Sequence, residues 1–159
     1  MGKTGKLAIA GVVALGVAAG LGFGVFEIQT AFIDEEVSET LSTDGDVVAS
    51  GAFHDVAHAA QGTARVVRGA DGGHELQLAD FRVDNGPTLE VWLVALDDAT
   101  DDDSIKTAEH VVAGPLKGNI GDQAYALPPA YDPGKHKAAV VWCERFGVNF
   151  ATAPLKPAE

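Results

Sequence analysis

The chain has 159 residues and a formal net charge of −12, with 23 acidic and 11 basic side chains. A surface this acidic repels phosphate backbones, which argues against nucleic-acid binding. Because the chain has one cysteine, an internal disulfide and a cysteine-rich metal site are excluded. The length is enough for one folded domain.

The first segment with a clear function is the uncharged run at residues 7–26. As a helix it would be about 30 Å long, enough to cross a bilayer. Lys3 and Lys6 precede the run and acidic residues follow it, so the positive-inside rule places the remainder of the chain outside the cytoplasm. Residues 1–26 are therefore predicted to be a cytoplasmic tip and one transmembrane helix. A cleaved signal peptide is the alternative, although its apolar region is usually only about 7–15 residues.

Residues 27–49 are acidic and polar and are predicted to form a stalk, with a folded domain over residues 50–159. In that domain, short apolar runs are separated by Gly, Pro, Asn and Asp, which is typical of β-strands and turns. The predicted strands are 51–54, 63–68, 75–81, 89–96, 110–113, 123–127, 137–143 and 148–153. Together they indicate an all-β fold, an antiparallel β-sandwich of about eight strands with both tryptophans buried.

Three stretches of this domain resemble the DM-thirteen domain, in the single-domain, membrane-anchored form found in bacteria. They are residues 76–93, residues 114–128 and the V-V-W-C-E-R-F stretch with the strand after it. Besides the cysteine, the signature positions are Gly86, Pro87, Gly118, Asn119, Gly121, Asp122, Gln123 and Tyr125. The resemblance implies a β-sandwich with an electron-transfer role centred on the cysteine. Thr88 departs from the family pattern, which usually has Asp after Gly-Pro.

The signature at residues 117–123 contains glycines but lacks the order of a phosphate-binding loop. We predict a tight turn in which Gly118 and Gly121 supply positive φ angles. The side chains of Asn119, Asp122 and Gln123 are expected to bond the backbone of that turn.

Cys143 is the predicted redox residue, placed at the end of a strand because Glu144 and Arg145 indicate a turn. The resemblance implies that it acts either as a bare thiol or as a ligand of a group such as haem. The bare thiol ranks first because the sequence shows no cavity. His58, Trp142, Arg145 and Phe146 are the predicted supports of a thiolate or cofactor. Three alternatives stay open: an inert buried thiol, cleavage of the anchor and a covalent dimer through Cys143.

No metal site is predicted. The five aspartates of residues 97–103 could bind calcium, but the EF-hand pattern is missing and a solvated loop is favoured. The expected function is a redox domain at the cell surface, by electron transfer or thiol oxidation. Its expected partners are the membrane and a redox partner protein, and nucleic acid is not expected. The alternative is a non-enzymatic adhesion module whose sandwich binds glycan or protein.

Overall fold

The computed structural model describes residues 33–159, which form two antiparallel five-stranded sheets. One sheet, called sheet A, has the order β10-β1-β3-β4-β7, and the other, sheet B, has the order β2-β9-β8-β5-β6. The strands are β1 (Asp46–Ala52), β2 (His54–Asp55), β3 (Ala60–Arg68), β4 (His74–Val83), β5 (Leu89–Val94), β6 (His110–Pro115), β7 (Gln123–Ala126), β8 (Ala138–Cys143), β9 (Val148–Pro154) and β10 (Lys156–Pro157). The predicted β-sandwich is confirmed, and strands occupy all eight predicted stretches.

The predicted transmembrane segment, residues 7–26, lies outside the described residues. Between residues 33 and 159, no helix is long and apolar enough to cross a membrane. One short helix, α1 (Asp102–Thr107), is present within the acidic stretch that the sequence analysis assigned to a loop. Asp101 caps it by accepting a hydrogen bond from the Ser104 amide at 2.9 Å. Six residues are too few for a helical apolar period to show in the sequence.

The three inner strands of sheet B are largely buried on both faces, and the central strand β8 shows this most clearly because all six of its side chains are buried. One set of side chains points into the main core between the sheets and includes Val141 and Cys143. The alternate set points outward into a second apolar cluster beneath α1. That cluster consists of Trp92, Val94, Ala99, Ile105, Ala138, Val140 and Trp142. The predicted burial of both tryptophans is confirmed.

Residues 34–42, here called the acidic strap, lie along the edge of the domain beside residues 119–122. The Val37 amide donates to the Ile120 carbonyl at 2.9 Å, and the Glu39 amide donates to the Asp122 carbonyl at the same distance. Lys117 forms an ion pair with Glu39 at 2.7 Å. The structure thus differs from the predicted stalk, since these residues are bonded to the domain and β1 begins at Asp46. Backbone hydrogen bonds use no particular side chains, so the acidic composition gave no sign of them.

The two glycines of the signature turn at residues 117–123 are required for different reasons. Gly121 has a φ of +102°, as predicted. Gly118 does not have a positive φ, so the prediction for it was wrong. It is needed because a Cβ there would lie 2.6 Å from the carbonyl oxygen of Glu35 in the strap. Both glycines therefore allow the strap to approach, and at Gly121 a Cβ would lie only 1.9 Å from the Val37 oxygen.

All three polar signature side chains bond backbone groups, but only Gln123 bonds the turn itself as predicted, whereas Asn119 and Asp122 bond the backbone of β4. The Asn119 amide group donates to the Val83 carbonyl at 3.0 Å. The Asp122 carboxylate accepts from the Asp80 amide at 2.7 Å. The Gln123 side chain donates to the Gly118 carbonyl at 2.9 Å. These three bonds explain why the turn tolerates buried polar side chains.

Gly121→Ala should destabilise the domain more than Gly72→Ala does. Both glycines have positive φ angles, +102° and +82°, so each alanine carries a left-handed strain of about 1–2 kcal/mol. Only the Gly121 position also meets the strap, because nothing lies within 4 Å of a Cβ at position 72. Urea unfolding of both variants measures the difference. Equal losses of stability would show that the strap contributes nothing.

Candidate functional site around Cys143

Cys143 is the last residue of β8 and faces the main core with no exposed surface. Its neighbours across the sheet are Leu89 on β5 and Val148 on β9. The Gly147 amide donates to the Cys143 carbonyl at 2.8 Å and closes the turn between β8 and β9. The predicted position, at a strand end beside a turn, is confirmed.

Residues 84–88 connect β4 to β5 and supply the hydrogen-bond acceptor of the thiol, and we call them the covering loop. The Cys143 Sγ donates to the Pro87 carbonyl oxygen at 3.2 Å. The neighbouring Thr88 carbonyl accepts from the Glu144 amide at 3.1 Å, which ties the loop to the turn after β8. Thr88 has a φ of +53°, an unusual value for a β-branched residue.

His58, a predicted support of the thiolate, contacts the covering loop. Its Nδ1 lies 3.2 Å from the carboxylate of Asp84, the first residue of that loop. Its ring packs on Phe150 with 3.9 Å between ring centroids. Phe150 in turn packs so closely on Gly86 that a Cβ there would lie 2.6 Å from the Phe150 ring. His58 thus connects to the loop above the thiol through Asp84 and Phe150, neither of which was predicted.

The other three predicted supports are not assembled on the inward face of Cys143. Trp142 points into the outer apolar cluster, because successive side chains of a strand alternate between its faces. Phe146 is 65% exposed in the turn. Arg145 is also exposed, and its guanidinium lies 5.9 Å from the centre of the Phe146 ring. The period-two pattern alone predicts the separation of Trp142 from the sulfur.

In this closed arrangement the thiol is protected. The thiolate is the nucleophilic form of cysteine, but the Pro87 carbonyl is an acceptor that binds the S–H form. A fully buried sulfur is also closed to a partner protein or a bulky oxidant. Redox chemistry at Cys143 therefore requires a local change that uncovers it.

The surroundings of the sulfur do not fit haem. Cys143 is completely enclosed and belongs to the apolar core between the sheets, so a macrocycle has no free face of the sulfur to approach. Within the described residues, no group of three His, Cys, Asp or Glu side chains could hold a metal ion.

The five aspartates of residues 97–103 diverge to separate partners. Asp97 pairs with Lys137 at 3.0 Å, and Asp98 pairs with His54 at 2.8 Å. Asp101 accepts from the Ser104 amide, and Asp102 accepts from the Asn149 amide. Asp103 forms an ion pair with Lys106. The cluster therefore organises α1 and its surroundings.

Comparison with known families identifies the domain. Residues 52–155 match the model of the family described as Electron transfer DM13. The match covers well over half of the chain, and the chain belongs to this family, which is the one its three motifs resemble. The description of the family gives electron transfer as its role. No curated protein and no solved structure matches the chain.

Both tyrosines of the chain are buried, and burial raises the pKa of each. The Tyr125 hydroxyl donates to Gln123 at 2.7 Å and accepts from the Lys117 amide at 3.0 Å. Burial raises its pKa to about 12, against the lowering effect of the Lys117 amide and with a smaller contribution from the charge of Glu39. Burial also raises the pKa of Tyr131 to about 12, with a further contribution from Asp132.

We expect the phenolate absorbance of the folded domain to appear only near pH 12. In the unfolded chain both tyrosines ionise near a pKa of about 10. Between pH 10 and 12 the unfolded state therefore binds fewer protons than the folded state, and stability falls as the pH rises through that window. Spectrophotometric titration with parallel circular dichroism measures both effects. Phenolate absorbance that rises at pH 10 while the fold is intact would contradict this account.

Proposed function

We propose that the protein is a membrane-anchored, outward-facing redox domain that works through Cys143, with the covering loop controlling access to the thiol. One observation carries the proposal: the single thiol of the chain is enclosed and bonded by a five-residue loop with a strained backbone. The family supports electron transfer as the general role. Gated thiol oxidation is the specific form that this geometry favours.

The strained backbone of Thr88 favours opening of the covering loop. Placing a non-glycine residue in the left-handed region costs about 1–2 kcal/mol. The Thr88 side chain is exposed, so its packing does not offset this cost. Opening the loop would release the strain while breaking the two hydrogen bonds to Pro87 and Thr88. Such a loop can open locally at much lower free energy than global unfolding.

With the loop open, Cys143 can lose its proton to solvent. The thiolate then attacks a peroxide: a sulfur–oxygen bond forms, the oxygen–oxygen bond breaks, and the leaving oxygen takes up a proton. Sulfur is oxidised to a sulfenic acid and the peroxide is reduced. Since the chain has no second cysteine, a thiol of a redox partner must reduce the product through a mixed disulfide. Closure of the loop would protect the sulfenic acid from further oxidation.

Thr88→Gly should slow the labelling of Cys143 in the native protein by roughly tenfold. Glycine removes the left-handed strain, and stabilising the closed loop by about 1.4 kcal/mol lowers the open population tenfold. Asp80→Gly is the matched control, because Asp80 has a similar φ of +49° on sheet A. It should leave the labelling rate unchanged under native conditions. Equal effects of both variants would exclude the covering loop as the gate.

Cys143→Ser should abolish peroxide-dependent labelling by a sulfenic-acid reagent and leave the fold intact. A serine hydroxyl can still donate to the Pro87 carbonyl, so no buried polar group loses its partner. Mass spectrometry after peroxide treatment measures the change, with circular dichroism as the check on folding. Labelling that persists in Cys143→Ser would place the oxidised group elsewhere.

Complete burial of Cys143 also favours a second candidate, a non-enzymatic binding module in which the cysteine fills the core. In that case the native thiol should react only when the whole domain unfolds. A Cys143→Ser variant that fails to fold, together with an unreactive wild-type thiol, would support this candidate.

The proposed location rests on the sequence pattern of residues 1–36. An uncharged run follows two lysines and precedes several acidic residues. Protease added to intact cells should therefore remove the domain, whereas a cytoplasmic control protein stays intact. A protected domain would contradict the outward orientation, and a mature protein that begins after residue 20 would contradict the anchor.

A further inference from the structure

Three aromatic rings stack on the outer face of sheet B, on the side opposite the thiol. Trp142 of β8 and Trp92 of β5 have ring centroids 5.1 Å apart at an angle of 30°. Trp92 also stacks on His110 of β6, with centroids 4.1 Å apart and planes within 1° of parallel. Trp142 is 2% exposed, Trp92 is 8% exposed and His110 is half-buried. The stack thus leads from the interior of the domain to its surface.

Each tryptophan in the stack also has a carboxylate at its indole nitrogen. The Trp92 Nε1 donates to Glu90 at 2.8 Å, and the Trp142 Nε1 donates to Glu144 at 3.2 Å. His110 is held in place by a bond of 3.1 Å between its Nδ1 and the Ala108 carbonyl. A buried indole N–H group needs an acceptor, and here both acceptors are carboxylates, which can also take up a proton.

We propose that Trp142, Trp92 and His110 form a one-electron path between the interior of sheet B and the surface at His110. Electronic coupling is greatest between rings in van der Waals contact, and all three rings meet that condition. One-electron oxidation makes the indole N–H far more acidic than in neutral tryptophan, so a hydrogen-bonded carboxylate can take the proton as the electron leaves. This path goes beyond the proposed thiol chemistry and does not depend on it, because Cys143 faces the opposite side of the sheet.

The chemical step is balanced by the groups in the stack and one external oxidant. A one-electron oxidant of high potential at the surface takes an electron from Trp92 through the stacked ring of His110, and the Trp92 Nε1 proton moves to Glu90. Trp142 then reduces the Trp92 radical, which recovers its proton from Glu90. The Nε1 proton of Trp142 moves to Glu144, so the oxidised site has moved inward by one ring.

Flash-quench oxidation of the full chain by a ruthenium(III) polypyridyl complex tests the path. The wild type should give the visible absorption and paramagnetic resonance of a neutral tryptophan radical. Trp142→Phe should keep a radical on Trp92, whereas Trp92→Phe should lose the radical because the buried Trp142 is cut off from His110. A wild-type radical yield in Trp92→Phe would overturn the proposed path.

A second comparison separates electron transfer from a structural role of the stack. Glu90→Gln keeps an acceptor oxygen for the Trp92 indole but removes the base. It should leave the fold unchanged and slow conversion of the radical cation to the neutral radical roughly a hundredfold. In the Trp142→Phe background, Glu144→Gln is the matched control and should not affect that rate. An unchanged rate in Glu90→Gln would also overturn the proposal.

Discussion

The burial of strand β8 on both faces is the constraint on which the rest of the structure depends. All six of its side chains are buried, with the main core on one side and the cluster beneath α1 on the other. Since side chains alternate along a strand, Cys143 and Trp142 must lie in different environments although they are adjacent in sequence. The thiol faces the core between the sheets, and the indole faces the second cluster.

This separation gives the domain two distinct chemical regions. On the inner side, the Cys143 thiol donates to the Pro87 carbonyl and is enclosed by the apolar core. Asp84 of the covering loop contacts His58, and the backbone of the loop is strained at Thr88. On the outer side, stacked rings with carboxylates at both indoles lead to the surface. Under the two proposals, Cys143 is reached by opening of the covering loop and Trp142 by electron transfer through the stack, although both residues belong to β8.

The strands were predictable because a half-buried strand shows its apolar side chains with period two, as in Leu76 and Leu78 of β4. The end of β8 was also predictable, since Glu144 and Arg145 interrupt that period. The assembly of His58, Asp84 and Phe150 was not, because these residues are distant in the sequence and meet only through the pairing of β2 with β9 and the return of the chain at the covering loop.

Two further features, the strap and the role of Gly118, could not be predicted from the sequence for physical reasons. The strap binds through backbone hydrogen bonds and through the ion pair of Glu39 with Lys117, a residue distant in the sequence, so its acidic composition suggested a solvated stalk. Gly118 was assigned a positive φ because glycine in a turn commonly has one, but here it makes room for a carbonyl oxygen of the strap. A sequence shows that a position excludes a side chain, whereas only the structure shows what occupies the space.

The urea dependence of Cys143 labelling in the native domain tests the gated-thiol account most directly. Opening of a five-residue loop exposes little surface, so the labelling rate should be almost independent of urea well below the unfolding transition. If the rate instead rises with urea as steeply as the equilibrium constant for global unfolding does, Cys143 is reached only in the unfolded chain. That result would contradict a local gate and leave the thiol as a core residue.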